Sequence, residues 1–436
     1  MKRFRFPVIG GVILIVACIS AWLGLHGLVR SELFRIWLSK KVSRTLHADG
    51  QFAPLSWEGS SFRSSGFTAK GTSNLRALQV TNISAHLDWW QLLRGRWVID
   101  QCAADSVDVV LGKRVAEEKT APGPKREPPL QLSRFLPSEL VVEQINVAKV
   151  DLHWTTGHGI SGQFAGMKVS ISRAAPDQWN IETLGGTAQH GGLPALEVQQ
   201  VRGAVAEKLI TIHEATARVA GGGDIHLAGH ISNLATAEMT ADFSNLNTQQ
   251  LSPREWQLDG TASGHLTYTG EIEHFERGRI TGSIEIKEAK FDLANFLGKL
   301  RNVIKLGNLG ELHLDSVQAD FQYEARHAQI SNLVARYQDQ IQIQGDGTVD
   351  AKHLDGTLQI GVAPKMLDWI PGAEEKVFTE NREGLRWTTM RLTGSPTDPK
   401  EDLSKRLRDA ARDKIEKEFK ANPKDALKSL LDMLHH

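Results

Sequence analysis

A chain of 436 residues with 41% hydrophobic and 23% charged side chains has enough apolar material to build a core, which excludes wholesale disorder. Its 51 basic and 51 acidic residues cancel, which excludes a nucleic-acid binder that relies on a strongly positive surface. Two cysteines, Cys18 and Cys102, the first inside an apolar run, form no intramolecular disulfide framework and leave the redox compartment unread.

Residues 6–29, FPVIGGVILIVACISAWLGLHGLV, contain no Lys, Arg, Asp or Glu. About 20 apolar residues cross a bilayer as a helix, so a retained single-pass anchor is expected here. The competing readings are a cleaved signal peptide and a lipoprotein signal in which Cys18 of IVAC is acylated. Both want the apolar stretch to end near the cleavage site, whereas it runs on through Ile19, Ala21, Trp22, Leu23 and Leu25. Lys2, Arg3 and Arg5 precede the run and Arg30, Arg35, Lys40, Lys41 and Arg44 follow it, so flanking charge does not set the orientation. RSELFRIWLSKKVSRTL keeps Leu33, Ile36, Trp37 and Leu38 near helical spacing, which predicts that the anchor helix continues and that residues 1–47 form the anchor and its extension.

Residues 48–112 change character. Gly and Ser alternate with single aromatics, the mark of short strands and tight turns. LDWWQLLRGRWVIDQCAADSVDVVLG, 87–112, predicts a short helical corner at Trp89–Leu93 and then two strands. Trp89 and Trp90 are read as a plug at the end of a sheet in preference to a membrane-interface or lipid-clamping pair. The charged, proline-rich stretch 113–137 predicts a loop.

From 138 to 395 strict alternation dominates. Leu266 and Tyr268, then Ile280, Ile284 and Ile286, then Phe321 and Tyr323, Ile341 and Ile343, and Leu358 and Ile360 are each separated by polar neighbours. Such segments are half-buried antiparallel strands. AGGGD, GDGTVD and LDGT between them predict hairpin turns. One interior helix is expected over 292–305, with Leu293, Phe296, Leu297, Leu300 and Ile304 on one face. The tail, 396–436, predicts mixed-charge helices interrupted at Asn422–Lys424. Its balanced charge argues for a cap on the sheet over a membrane-surface element.

One helix cannot cover the apolar faces of on the order of twenty strands. The remaining solutions are packed sandwiches, a closed barrel, or one long sheet whose apolar face lines a trough. A membrane barrel wants aromatic girdles and a removed signal; the chain has 3 Tyr and keeps its apolar run. The other two stay open on pattern alone.

The order of segments then carries a resemblance. An N-terminal apolar helix is followed by LDWWQLLRGRWVIDQCAADSVDVVLG and a charged proline-rich loop. GRITGSIEIKEAKFDLANF, DQIQIQGDGTVDAKHLDGTLQIGVAP and MRLTGSPTDPKEDL complete the series. This arrangement resembles the AsmA-like family of envelope proteins over most of the chain. The resemblance implies a mainly β fold, a long curled antiparallel sheet forming a hydrophobic groove, with an N-terminal transmembrane helix and C-terminal helices. It also implies a bacterial inner-membrane, single-pass protein, its bulk facing the periplasm, that binds or conveys membrane phospholipid and contributes to outer-membrane biogenesis, with envelope proteins as further partners. The groove would be lined by Leu266, Tyr268, Ile280, Ile284, Ile286, Phe321, Tyr323, Ile341, Ile343, Leu358 and Ile360. The alternative is a tethered β-sandwich scaffold that binds a protein partner and carries no lipid.

No chemistry competes with these readings. No CxxC, HExxH or P-loop pattern occurs, and HEATA at His213 lacks a second histidine. His226 and His230, four apart in DIHLAGH, fall two steps apart on one side of a strand, too far to share an ion without further ligands. Ser, His and Asp are scattered without a recognisable triad pattern. No cofactor, no metal and no reaction are expected.

Overall fold

The computed structural model describes residues 31–71, 75–88, 90–91, 94, 96–112, 140–155, 159–233, 235–251, 259–272, 274, 277–291, 312–368, 370–396 and 398–421. The apolar run 6–29, the loop 113–137, the interior helix expected over 292–305 and the tail beyond Ala421 lie outside these residues. Among the described residues no helix is long and apolar enough to cross a membrane. The fold is mainly β, with 23 strands among the described residues. Contacts divide the chain into residues 1–207 and residues 208–436.

In the first unit, α1 (Glu32–Leu46) starts after Ser31, an N-cap with extended backbone. The Ser31 hydroxyl accepts the Phe34 N–H at 3.3 Å, satisfying one of the unpaired donors of a helix start. His47 closes the helix in a left-handed conformation, φ 49°. Three helix side chains then hold β1 (Ala48–Phe52) antiparallel to α1: Arg35 donates to the Phe52 carbonyl, Ser39 accepts the Phe52 N–H, and Ser43 accepts the Gly50 N–H. β1 and β2 (Leu55–Glu58) both pair with β3 (Ser61–Gly71), which pairs with β4 (Leu75–Leu87) and β4 with β5 (Trp97–Leu111). The stretch after the Trp90 turn is thus one 15-residue strand, where its alternation suggested two.

Beyond β5 the expectation of a wholly antiparallel sheet is corrected. β6 (Leu140–Val142) and β7 (Gln144–Thr155) run parallel to β5, Cys102 facing Ile145 and Val109 facing Leu152. A parallel neighbour requires a crossover connection, and residues 112–139 supply its length. β8 (Ser161–Ala175), β9 (Gln178–Leu184), β10 (Thr187–His190) and β11 (Leu196–Ala206) then follow as antiparallel partners.

The second unit is a serial antiparallel meander. β12 (Leu209–Val219), β13 (Asp224–Ser232), β14 (Thr236–Asn247), β15 (Asp259–Glu271), β16 (Arg279–Phe291), β17 (Leu312–Glu324), β18 (His327–Tyr337), β19 (Ile341–Val349) and β20 (Leu354–Val362) each pair with the next. A short helix, α2 (Thr248–Leu251), interrupts the series between β14 and β15. A second, α3 (Ala373–Lys376), follows β20; β21 (Glu380–Arg382) and β23 (Asp398–Glu401) flank β22 (Leu385–Ser395), which pairs with β20. Strand pairing therefore reaches Glu401, and α4 (Leu403–Ala421) follows.

AGGGD makes the expected turn, with the Val219 N–H donating to the Gly223 carbonyl at 2.9 Å. GDGTVD and LDGT are not turns. Gly345, Asp346 and Gly347 lie inside β19 opposite Leu358, Thr357 and Gly356 of β20. The actual turn is Asp350–His353, whose Asp350 carboxylate accepts the N–H groups of Lys352 and His353, both at 2.7 Å.

Among the described residues each unit holds a closed core. In the first, Phe34 and Leu38 of α1 meet Phe52, Trp57, Phe62, Phe67, Ile83, Leu87, Trp97 and Ile99. In the second, Leu403, Leu407 and Ala410 of α4 pack with Leu367, Ala373, Val377 and Phe378 onto Met390 of β22, with Leu358 and Ile360 at the margin. The α4 helix therefore caps the apolar face at the C-terminal strands. Ion pairs Lys376–Asp413 at 2.7 Å and Lys414–Glu375 at 2.6 Å tie α4 to α3.

Candidate functional site

Register converts the alternation of single strands into one shared surface. Directly paired residues in an antiparallel ladder point to the same side. In the second unit one such row runs Leu227, Ala241, Leu266, Gly282, Phe321, Ile330, Gly347, Gly356, Leu392. A neighbouring row runs Met239, Tyr268, Ile280, Tyr323, Ala328, Val349, Leu354, and another Ala262, Ile286, Val317, Ala335, Ile343, Ile360. Ile225, Phe243, Gly264, Ile284 and Ala319 lie between them. The opposite face carries Thr267, Thr281, Ser283, Glu285, Gln318, Gln322, Gln342 and Gln344. One side of the unit is thus apolar from β13 to β20.

All the positions expected to line a groove lie on this face. Leu266 and Tyr268 come from β15, Ile280, Ile284 and Ile286 from β16, Phe321 and Tyr323 from β17, Ile341 and Ile343 from β19, and Leu358 and Ile360 from β20. The last pair reaches the closed core under α4, so the face is continuous with its cap. Further residues join them that strict alternation did not reveal: Phe243 and Met239 on β14, and Leu333 and Ala335 on β18.

Most of the large side chains of this face are less covered than those of a core. Ala241, Ala262, Tyr268, Ile286 and Ala335 are buried, and the Tyr268 hydroxyl donates to the Glu271 carbonyl at 2.9 Å. Leu266, Ile280, Ile284, Phe321, Tyr323, Ile341 and Ile343 are only half-buried, and Ile330 is 40% exposed. By contrast Leu407 beneath the helical cap is 1% exposed. In two tightly packed layers, inward residues are covered on all sides. The face between β13 and β19 is covered less than that.

Glycines thin the same surface. A Cβ on Gly264 would lie 2.8 Å from the tip of the Phe243 ring, and one on Gly282 would lie 2.2 Å from the His265 carbonyl oxygen. Large side chains therefore lie beside bare backbone. At β14, β16 and β18 a residue with positive φ (Asn245, Glu288, Asn332) adds one residue to the strand and shifts the register. Such bulges increase local twist.

The other groups considered from sequence have simple partners. His226 and His230 are on the polar side, with His230 3.7 Å from Glu238, and no group of three potential metal ligands occurs among the described residues. Ser60, His86 and Asp100 do come together, His86 Nε2 lying 2.7 Å from the Ser60 hydroxyl and Nδ1 2.7 Å from the Asp100 carboxylate. They sit on the solvated face, the His86 and Asp100 side chains 45% and 46% exposed, and tie the β2–β3 turn to β4 and β5. Cys102 is partly buried, which pushes its thiol pKa up and away from nucleophilic use. Trp90 does not plug the sheet: it is 77% exposed.

Comparison with protein-family models, curated proteins and solved structures returns no match to this chain. The fold and the apolar face stand on the geometry above.

Proposed function

We propose that this chain is an inner-membrane-anchored, envelope-facing protein of AsmA-like type whose apolar face holds or passes phospholipid acyl chains without performing a reaction. Residues 6–29 are the anchor in this reading, and the bulk of the chain faces the periplasm. The observation that carries it is the half-covered apolar face of the second unit, continuous over β13 to β20 and capped by α4 at its C-terminal strands. Each methylene withdrawn from water by such a surface contributes up to about 0.8 kcal/mol. A polar headgroup remains free to face solvent. The Ser60–His86–Asp100 group does not alter the reading, because its half-exposed members brace the β2–β3 turn of the first unit.

Lipid analysis of the full-length protein tests the proposal. The wild type and a double variant, Ile284→Asp with Ile343→Asp, are purified in the same mild detergent and their co-extracted lipids measured by mass spectrometry. Because both keep the anchor, lipid bound around residues 6–29 is common to the two. Phospholipid in excess on the wild type and lost from the folded variant supports the carrier. Equal lipid on both would leave the tethered scaffold as the better account.

A further inference from the structure

The β4–β5 turn presents an unusual combination of an exposed tryptophan and unpaired arginines. Asp88 accepts the N–H groups of Trp90 and Gln91 at 2.9 and 3.3 Å, and the Gln91 carbonyl accepts those of Arg94 and Arg96, both at 3.0 Å. The Asp88 carboxylate and the Gln91 carbonyl therefore build the turn, and neither needs the side chain of Trp90, Arg94 or Arg96. Trp90 is 77% exposed, and Arg94 and Arg96 are exposed with no carboxylate partner among the described residues. Two acids of the adjoining strands are already engaged, Glu58 with Arg63 and Asp100 with His86.

Position gives the turn its meaning. The α1 helix runs antiparallel to β1, so its C-terminus lies at the Ala48–Gly71 end of the sheet. Its N-terminal turn lies at the opposite end, where Phe34 stacks on Trp97, the first residue of β5, at 5.7 Å. Ser31, the cap of that turn, follows the uncharged run 6–29 after a single residue, Arg30. The exposed tryptophan and its arginines thus occur at the end of the first unit where the chain leaves for the apolar run.

We infer that the β4–β5 turn is a second membrane contact, Trp90 entering the interfacial layer and Arg94 and Arg96 pairing with anionic lipid headgroups, so that the first unit is held against the bilayer that its anchor enters. Tryptophan favours the interface because its ring is apolar and its N–H remains hydrogen-bonded there. Each arginine close to an anionic surface favours the docked state roughly fivefold. The inference rests on the anchor reading of residues 6–29 and adds a fixed orientation to it.

The test uses the full chain in vesicles of phosphatidylethanolamine and phosphatidylglycerol. In a Cys18→Ala, Cys102→Ala background, a nitrobenzoxadiazole label is placed at Gln91→Cys or, as a control at the far end of the same sheet, at Lys70→Cys. Quenching by lipids carrying a nitroxide near the headgroup is then measured, with flotation as a separate readout. The expected result is strong quenching at 91 and little at 70. Arg94→Glu with Arg96→Glu lowers the docked population by roughly tenfold or more while flotation persists. Flotation with equally weak quenching at both positions overturns the second contact and leaves the anchor intact. Failure to float overturns the anchor and the contact with it.

Discussion

Replacing Ile284 and Ile343 by aspartate separates an open apolar face from a closed core by energy alone. Fully burying an isoleucine contributes about 1.5–3 kcal/mol, so Ile284 and Ile343, which keep a minority of their surface in water, contribute about 1–2.5 kcal/mol each. Ile284 is on β16 and Ile343 on β19, three strand spacings of about 4.8 Å apart, so their effects should add. The double variant should therefore lose about 2–5 kcal/mol, since each carboxylate on a partly covered face keeps part of its water. Leu407→Asp supplies the comparison, because Leu407 is 1% exposed under the α4 cap. An unpaired charge there loses both the leucine packing and its own hydration, at least about 5 kcal/mol. Denaturant unfolding followed by circular dichroism in detergent reads both variants against the wild type. If the double variant costs about twice as much as Leu407→Asp, both sites lie in a closed core and the argument for a lipid surface fails.

Other consequences are equally specific. Gly282→Val should destabilise by about 1–3 kcal/mol, because a Cβ there meets the His265 carbonyl oxygen at 2.2 Å; an unchanged Tm would show that the strands can part to admit it. Lys414 holds the Glu375 carboxyl below its ordinary pKa by a hydrogen bond and by its charge, and Lys376 does the same for Asp413. Since both folded-state values are lowered, their stabilisation is complete above the ordinary carboxylate range and is lost as pH falls through the lowered values. Exchange protection of α4 should accordingly drop on acidification below that range, and Lys414→Met with Lys376→Met should flatten the response; protection that is unchanged in acid would contradict this. His86→Ala should cost no more than about 1 kcal/mol, as expected for exposed hydrogen bonds, and should leave lipid content unchanged; loss of bound lipid would assign the Ser60–His86–Asp100 group a role beyond bracing.

The apolar face was legible wherever alternation runs unbroken. Leu266 and Tyr268, or Ile284 and Ile286, share a side whatever their partners, so the sequence places them correctly relative to one another. β14 and β18 were harder to read because Asn245 and Asn332 insert a residue at positive φ and reset the alternation. Phe243-Ser-Asn-Leu246, Ile286-Lys-Glu-Ala289 and Ile330-Ser-Asn-Leu333 share one pattern, two apolar residues three apart around a polar residue and an Asn or Glu. That pattern is the signal for a bulge, and a reading confined to period two passes over it. Glycine misled in the other direction. Gly345, Gly347 and Gly356 suggest turns by composition, yet they lie within paired strands, where Gly345 faces Leu358 and Gly347 faces Gly356. The parallel β5–β7 pairing depends on where the long loop returns, which its charged, proline-rich composition does not specify. Trp90 shows the same limit at the surface: Asp88 builds the turn, but only the fold decides that the ring points outward.

The most direct measurement is a photo-crosslinking scan with a benzophenone amino acid along β16 and β19 of the full-length protein in its native membrane, the adducts identified by mass spectrometry. Positions 280, 284, 341 and 343 should yield phospholipid adducts, and positions 281, 283, 342 and 344 should not, giving a period of two along each strand. Adducts without that alternation, or none at positions 284 and 343 in folded protein, would contradict a lipid-holding face.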